Sequence, residues 1–314
     1  MLPKDCETVK AYVYTAPELM RIFGFSFDQI VRAGVKIAPD FEPTIDAAAA
    51  NFFWCPIDLG HVEAYHGGVK AIRENVSLLP HWKGNEKRHV FYFCSDGPEP
   101  VGIPSIMFRQ SFYKQRKDEN AIAWPYAVDD FENLAGADFD ALAYDVSFVG
   151  SRVSSKARAE SFDSVNVTPG IKSFLDDSKL HWGKIENTPI GKFRREIFID
   201  SLANSRMVLA ARGGGLSCYR FFEAMSAGRV PILLADDWEL PHQAEGLIRW
   251  DWCIVQIPEK DARQAGKFLV DYLRRTTTRE LQEMGDYARG VWQSYLAPEV
   301  WPEMMTWYIE KLLR

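Results

Sequence analysis

Residues 205–241, SRMVLAARGGGLSCYRFFEAMSAGRVPILLADDWELP, decide the fold of this chain. Residues 207–211 are an apolar run of strand length, and the glycine-rich loop 212–215 ends it. Apolar side chains then recur at helical spacing over residues 217–227, and residues 230–235 form a second apolar run. The order strand, loop, helix, strand predicts a βαβ unit, which joins neighbouring strands of a parallel sheet.

The helix in this unit has start and stop signals. Ser217 is a good N-cap residue and Gly228 is a good stop. Backbone N–H groups of a glycine-rich loop, together with the helix dipole, favour a bound anion. Arg212 and Arg220 lie beside this point in the sequence, and guanidinium groups bind phosphate oxygens in a bidentate way. The stretch therefore predicts a phosphate site, and the alternative is a tight turn with two surface arginines.

The composition limits the partners. The 314 residues are 47% hydrophobic, enough for two moderate cores. A net charge of −6 argues against nucleic-acid or anionic-membrane binding through bulk charge, so we expect no nucleic-acid partner. No apolar run is long enough for a membrane span, and no signal peptide is recognisable. Cys55 and Cys94 lie in apolar runs and are predicted to be core residues. The five cysteines have no CxxC spacing and are not expected to bind metal: Cys6, Cys55, Cys94, Cys218 and Cys253.

Strands and helical stretches alternate in two sets. The first set has predicted strands at residues 10–14, 51–56, 90–94 and 122–125, with helices at 45–50 and 62–79. The second set has predicted strands at residues 146–150, 207–211, 230–235 and 253–257. This alternation is typical of parallel, doubly wound sheets. The acidic segment 129–145 has few large apolar residues, so we expect the link between two domains there.

The stretch 205–241 resembles the signature of exostosin-type glycosyltransferases. The matching residues are Ser205, Gly213, Gly215, Ser217, Tyr219, Arg220, Phe222, Glu223, Ala224, Gly228, Pro231, Asp236, Leu240 and Pro241. Segments 49–56, 89–96 and 145–152 are similar to other parts of the family. The chain departs from the pattern at Arg212, where a proline is common, and at Arg229, where the family usually has a cysteine after the glycine.

The resemblance implies an α/β protein of GT-B type, with two Rossmann-like domains facing a crevice. Residues 1–140 would be the acceptor and base domain, residues 141–298 the nucleotide-sugar domain, and residues 299–314 a helix packing back on the first. The implied activity is transfer of a hexosyl or pentosyl group from a nucleotide-diphosphate sugar, a UDP-sugar being favoured, to a glycan hydroxyl. The transfer would be inverting, with no obligatory metal and no other cofactor.

Two other readings stay open. The chain could be an inactive nucleotide-sugar-binding or scaffolding partner of a glycosyltransferase. It could also be another GT-B enzyme, such as an epimerase or a phosphorylase, because fold does not fix chemistry. Family members from eukaryotes carry a Golgi anchor, so we expect either a cytoplasmic protein of bacterial or viral origin or a chain trimmed of its anchor.

The donor residues follow from the matched motif. Glu223 would accept hydrogen bonds from the ribose hydroxyls, because a carboxylate is an acceptor-only group suited to a diol. Ser217 and Arg220 would hold the diphosphate. The full predicted donor set is Arg152, Arg212, Gly213, Gly214, Gly215, Ser217, Arg220, Glu223 and Asp237. The alternatives are a helix-start carboxylate for Glu223 and exposed loop residues for the arginines and Asp237.

An inverting transfer needs a base for the acceptor hydroxyl, placed on a loop after a strand of the first domain. Asp58 and Asp96 meet this condition, and Asp58 is preferred because some plant members have an aspartate there; both can also be ordinary turn residues. His61 and His66 are candidate acceptor contacts, with structural roles as the alternative. The single DxD sequence, Asp138-Phe139-Asp140, lies in the suspected link and is not expected to bind metal.

Overall fold

The computed structural model describes residues 9–179 and 187–314, which form two compact units. The first unit contains the described residues up to Pro125, together with Glu239–Ala244 and Pro298–Arg314. The second unit contains the described residues of Tyr126–Trp238 and Glu245–Ala297. Each unit is built on its own parallel sheet, which confirms the predicted pair of α/β domains.

The first unit has a six-stranded sheet in the order β2-β1-β3-β4-β5-β6. Its strands are β1 Lys10–Val13, β2 Glu42–Thr44, β3 Phe52–Asp58, β4 His89–Phe93, β5 Ile106–Arg109 and β6 Ala121–Ala123. Its helices before the second unit are α1 Ala16–Phe23, α2 Phe27–Ala33, α3 Leu59–Tyr65 and α4 Gly68–Val76. All neighbouring strands in this sheet run parallel.

The second unit has a five-stranded parallel sheet in the order β11-β10-β9-β7-β8. Its strands are β7 Tyr144–Gly150, β8 Ser173–Asp177, β9 Ser205–Ala211, β10 Val230–Leu234 and β11 Val255–Gln256. Its helices are α5 Lys156–Val167, α6 Pro189–Ala203, α7 Tyr219–Ser226, α8 Ala265–Leu273 and α9 Thr278–Val291. The chain then returns to the first unit with α10, Trp301–Leu313.

Apolar strands form the centre of the second unit. Phe148 on β7, Leu209 on β9 and Ile232 on β10 are all at most 1% exposed. Burying a side chain of this size contributes about 1.5–3 kcal/mol relative to leaving it in water. These buried strands hold the loops at their carboxyl ends in fixed positions.

Both sheets reverse their strand order beside their first strand. The reversal lies between β1 and β3 in the first sheet and between β7 and β9 in the second. In open parallel sheets, ligands bind beyond the carboxyl ends of the strands at such a switch point. Asp58 ends β3, Gly150 ends β7 and Ala211 ends β9, so these residues mark the two positions.

Some local predictions were wrong. The alanine-rich residues 45–50 form a turn rather than a helix, because helix propensity alone does not sustain so short a segment. Helices α1 and α2 and the short strands β2 and β5 were not predicted. Cys6 lies outside the described residues.

The acidic segment that we expected to link the domains packs with the second unit. Phe139 is fully buried there, and the Phe131 N–H donates to Ser226 Oγ at 2.9 Å. Packing therefore divides the chain after Pro125, earlier than the expected division at residue 140.

Candidate functional site

Two helices begin at the switch point of the second sheet. Helix α5 follows β7 and helix α7 follows β9, so both helix starts lie at the carboxyl edge of adjacent strands. The positive ends of both helix dipoles are therefore at this edge. Such an edge favours an anionic ligand.

Arg220, on the first turn of α7, is held by the backbone of β7. Its Nε donates to the Val149 carbonyl at 2.7 Å, and its guanidinium carbon lies 4.6 Å from the Phe148 ring centroid. Burial lowers the pKa of Arg220 from its usual value. In the described part of the chain, no carboxylate forms an ion pair with this guanidinium. Arg220 therefore brings positive charge to the edge without a direct neutralising partner.

A second guanidinium, Arg158 on α5, was not predicted. The residue is 5% exposed, and its Nε and Nη2 donate to the Ala211 carbonyl at 3.0 and 2.8 Å. Its Nη1 donates to the Ser151 carbonyl at 3.3 Å. Arg158 thus joins the ends of β7 and β9. The α5 sequence KARAESFDSVNV has no clear apolar stripe, so it gave no signal that this arginine is buried.

Arg212 and the glycines form a closed loop. Arg212 Nε and Nη2 donate to the carbonyls of Gly215 and Gly214, each at 3.2 Å. The Arg212 carbonyl accepts from Ser155 Oγ at 2.8 Å, which ties the loop to the start of α5. A Cβ on Gly213 would lie 3.2 Å from Arg158 Nη2. Arg212 therefore shapes the loop, and Arg158 lies beneath it.

Ser217 was predicted to cap α7, and this prediction was wrong. The helix begins at Tyr219, and Cys218 occupies the N-cap position with extended backbone, φ −150° and ψ 148°. Ser217, one residue earlier, is 3% exposed, and its Oγ has no hydrogen-bond partner within residues 9–179 and 187–314. A buried hydroxyl without a partner costs about 1–3 kcal/mol. It lies next to the start of α7, where a bound anion would satisfy it.

Glu223 lies on α7 and is 7% exposed. Its Oε1 accepts from Arg195 Nη1 at 2.5 Å, and Arg195 Nη2 donates to Asp129 Oδ2 at 2.7 Å. Arg195 was not predicted, because it lies on α6, well before the motif that contains Glu223.

Two further predicted donor residues, Arg152 and Asp237, lie outside the arginine and glycine cluster described above. Arg152 forms ion pairs with Asp177, at 3.2 Å, and with Asp163, so its guanidinium is neutralised within the second unit. Asp237 follows β10, is half-buried and has a left-handed backbone, with φ 59°. The structure thus brings Arg212, Ser217 and Arg220 together with Arg158 and leaves Arg152 in its own ion-pair cluster.

In the first unit, Asp58 lies at the switch point. Its Oδ1 accepts from the Gly60 and Cys94 N–H groups, both at 2.8 Å, so it caps α3 and ties the end of β3 to the end of β4. Burial raises the pKa of Asp58 to about 6, and neighbouring Glu63 adds to the rise. Asp96, the other candidate base, is exposed.

Glu63 is a further carboxylate at this edge that we did not predict. Its Oε2 accepts from Ser95 Oγ, and Ser95 Oγ accepts from the Gly97 N–H at 2.9 Å. A Cβ on Gly97 would lie 2.6 Å from Glu63 Oε1, so the loop after β4 closes tightly over this carboxylate. Glu63 lies on α3, five residues after Asp58, and this closeness in sequence is the signal that could have made it a candidate.

The two candidate acceptor histidines cluster around Phe25. The ring centroids of His61 and His66 lie 6.1 and 4.5 Å from that of Phe25 and 5.6 Å from each other. Burial, with some contribution from His66 and Arg32, lowers the pKa of His61. His66 Nε2 is buried and has no hydrogen-bond partner in the described ranges.

The described residues contain no group of three or more His, Cys, Asp or Glu side chains placed to hold a metal ion. Asp138 Oδ1 accepts from the Asp140 N–H at 2.9 Å, so the DxD sequence forms a local turn. No helix within the described ranges is both long enough and apolar enough to cross a bilayer.

A cavity of about 350 Å³ lies away from this site. Its lining includes Asp145 near the start of β7 and Arg206 near the start of β9, which are the amino ends of these strands. Arg206 is already satisfied by Asp145, at 2.5 Å, and by the Phe139 carbonyl, at 2.7 Å. The cavity therefore lies at the opposite strand ends from Arg158 and Arg220.

The second unit matches a known family. The family model described as Exostosin GT47 domain matches residues 143–273. This part of the chain is exostosin-like. The matched region contains Arg158, Ser217, Arg220 and Glu223, so the residues at the switch point of the second sheet all fall within the exostosin-like part of the chain.

The chain is also similar to curated relatives. It is 31% identical to an Exostosin-1 homolog of Caenorhabditis elegans over 33% of this chain and 26% of that protein. It is 29% identical to Exostosin-1 of Drosophila melanogaster over 80% of this chain and 36% of that protein. The chain therefore spans well under two thirds of the length of either relative.

Solved structures give a weaker likeness. HepE of Anabaena, in a complex with UDP and glucose, has a TM-score of 0.48 and 8% identity, covering 97% of this chain and 100% of that one. A glycosyltransferase of Rickettsia africae has a TM-score of 0.46 and 8% identity, covering 98% and 99%.

Proposed function

We propose that this chain is a glycosyltransferase that takes a hexosyl or pentosyl group from a nucleotide-diphosphate sugar, with UDP as the favoured nucleotide, and transfers it to a glycan hydroxyl. One observation carries the proposal. At the switch point of the second sheet, Arg158 and Arg220 are held by backbone carbonyls beside the buried hydroxyl of Ser217. The exostosin-like match of this segment supports it.

The diphosphate is the group that this arrangement suits. Departure of a nucleoside diphosphate places growing negative charge on the oxygen that leaves C1 of the sugar. Fixed guanidinium groups and helix N–H groups stabilise that charge more in the transition state than in the ground state. Arg220 can serve in this way because a carbonyl, not a carboxylate, orients it.

We propose a metal-independent reaction. Two guanidinium groups and two helix starts supply the positive charge that a divalent cation would otherwise bring to the diphosphate. Accordingly, activity is expected to persist in excess EDTA and to show no requirement for added Mn²⁺ or Mg²⁺. Loss of activity in EDTA with recovery on adding one of these ions would contradict this part of the proposal.

For the acceptor, we propose an inverting transfer with Asp58 as the base. The acceptor oxygen forms a bond to C1 as the bond from C1 to the diphosphate oxygen breaks, and the hydroxyl proton passes to the carboxylate. A general base works best when its pKa lies near the working pH. Burial raises the pKa of Asp58 to about 6, which suits a base that is ionised at neutral pH.

Calorimetric titration tests the donor site. Wild-type protein should bind UDP and inorganic pyrophosphate and bind uridine much more weakly. Arg220→Gln should weaken both UDP and pyrophosphate by about 10–100-fold, since a charge-assisted hydrogen bond is worth about 1.5–3 kcal/mol. Arg249→Gln, which alters an exposed guanidinium stacked on Trp252, should leave both affinities unchanged. Wild-type protein without affinity for UDP or pyrophosphate would refute the proposal.

Turnover is a separate readout. Release of UDP from a UDP-sugar in the presence of glycan acceptors should follow binding. Tight nucleotide binding with no transfer to any acceptor would favour the alternative of a nucleotide-sugar-binding or scaffolding partner.

A further inference from the structure

Arg195 lies on α6, outside the glycine-rich loop, and contacts two carboxylates. Its Nη1 donates to Glu223 Oε1 at 2.5 Å, and its Nη2 donates to Asp129 Oδ2 at 2.7 Å. Because the guanidinium group is planar, its hydrogen bonds to the two carboxylates lie in one plane and leave it in different directions. This geometry fixes the rotamer of the arginine relative to Glu223.

Two aromatic rings hold the same guanidinium. Its central carbon lies 5.2 Å from the Phe131 ring centroid and 5.1 Å from that of Phe198, and both rings are buried. Cation–π contacts at this distance are favourable. Burial alone lowers the pKa of Arg195, but Glu223 and Asp129 raise it above its usual value, so the guanidinium stays charged.

The two carboxylates depend on Arg195 to different extents for stabilisation of their charge. The side chain of Asp129 is 75% exposed, so water can solvate its charge when the pair is broken. The side chain of Glu223 is 10% exposed, and a buried carboxylate that loses its cation is left without compensation. Arg195 therefore matters mainly for Glu223.

Only one of the two carboxylate oxygens of Glu223 takes part in the pair with Arg195. The pair with Arg195 uses Oε1, and Oε2 forms no hydrogen bond with any described residue. A carboxylate accepts several hydrogen bonds, and a ribose diol presents two donors. We propose that Arg195 is a positioning residue that orients the Glu223 carboxylate toward the ribose of a nucleotide, and that it thereby sets a preference for ribonucleotides. This inference rests on the proposed nucleotide-sugar function.

Titration of matched ligands tests the inference. The probes are UDP, 2′-deoxy-UDP and inorganic pyrophosphate, and the proteins are wild type, Arg195→Gln, Arg195→Lys and Asp129→Asn. Wild type should prefer UDP to 2′-deoxy-UDP by about tenfold or more, as expected for a lost charge-assisted hydrogen bond. In Arg195→Gln, the affinities for UDP and 2′-deoxy-UDP should differ by no more than about twofold. Its affinity for pyrophosphate should not change, since Arg158 and Arg220 remain in place.

The other variants separate positioning from general damage. Arg195→Lys should retain part of the preference because it keeps the charge while losing the planar fork. Asp129→Asn should keep the full preference. Glu223→Gln, which leaves Arg195 intact, should lose the preference as Arg195→Gln does, and it remains informative if Arg195→Gln fails to fold.

Each outcome is decisive. An unchanged ribose preference in Arg195→Gln would overturn the inference and leave the proposed function standing. Equal binding of UDP and 2′-deoxy-UDP by wild type would also overturn it, while pyrophosphate binding would still support the diphosphate site. Absence of all binding by wild type would remove the proposed function and this inference together.

Discussion

Gly150 and Arg220 occupy adjoining space at the end of β7: a Cβ on Gly150 would lie 1.7 Å from Arg220 Nη2. Gly150 also has a φ of 149°, which L residues rarely adopt. The guanidinium therefore has its position because residue 150 is a glycine. The close approach links the end of a core strand to the group that we propose binds diphosphate.

Gly150→Ala should displace the Arg220 guanidinium and weaken UDP binding by about tenfold or more, because charge-assisted hydrogen bonds contribute about 1.5–3 kcal/mol. Titration calorimetry measures the loss. The control is Gly246→Ala, where φ is 65° and no heavy atom lies within 4 Å of the added Cβ. That control should cost stability through backbone strain and leave UDP affinity unchanged; equal affinity losses in both variants would argue against a specific role of Arg220.

Ser217→Ala should have opposite effects on the free and bound protein. Removing a buried hydroxyl without a partner should raise the unfolding free energy of the ligand-free protein by about 1 kcal/mol. It should also weaken UDP binding by about tenfold, since a hydrogen bond to a charged group is lost. Chemical denaturation and titration measure the two effects.

Ser147→Ala is the matched control for that experiment. Ser147, on β7, has a fully buried Oγ that likewise lacks a partner among the described residues. Its removal should raise stability without changing UDP affinity. A Ser217→Ala protein that binds UDP as wild type does would show that this hydroxyl does not contact the ligand.

The sequence predicted the framework of the second unit because its signals were local. Residues 207–211 of β9 and all of β10 are apolar runs, and glycine marks the loop between β9 and α7, so element type and order followed from residues 205–241. The predicted phosphate cluster of Arg212, Ser217 and Arg220 came from the same stretch.

The remaining site residues depend on contacts between segments far apart in the sequence. Arg158 and Arg195 lie on α5 and α6, and only the packing of these helices against the sheet brings them to Ala211 and Glu223. Many arginines in the chain lie on helices, and periodicity does not show which is buried. Likewise, the Gly-Ser-Arg turn that contains Arg152 does not predict its ion pairs, because Asp163 and Asp177 lie on later elements.

Turnover should depend on pH through Asp58. Its carboxylate is ionised above a pKa of about 6, which burial raises, so the rate should rise with pH through this value and then level off. Asp58→Asn should abolish this rise of the rate with pH and slow transfer by about 10²–10⁴-fold, while UDP binding persists. Glu63→Gln is the comparison variant. If the rise of the rate with pH were lost in Glu63→Gln but kept in Asp58→Asn, the base would be Glu63.

The raised pKa of Asp58 should also make the unfolding free energy depend on pH. Its pKa is about 6 in the folded protein and about 3.9 in the unfolded chain, so the folded state binds more protons between these values. The unfolding free energy should therefore fall by up to about 3 kcal/mol as pH rises from about 4 to 6, relative to Asp58→Asn. Burial lowers the pKa of His89 to about 4, and this acts in the opposite direction, so only the difference between wild type and variant isolates Asp58.

A crystal structure of the wild-type protein with bound UDP tests the central claim most directly. The diphosphate oxygens should lie within hydrogen-bonding distance of Ser217 Oγ and the Arg220 guanidinium, at the start of α7. UDP that binds in solution but lies elsewhere in the crystal, with Ser217 still unpartnered, would contradict the claim.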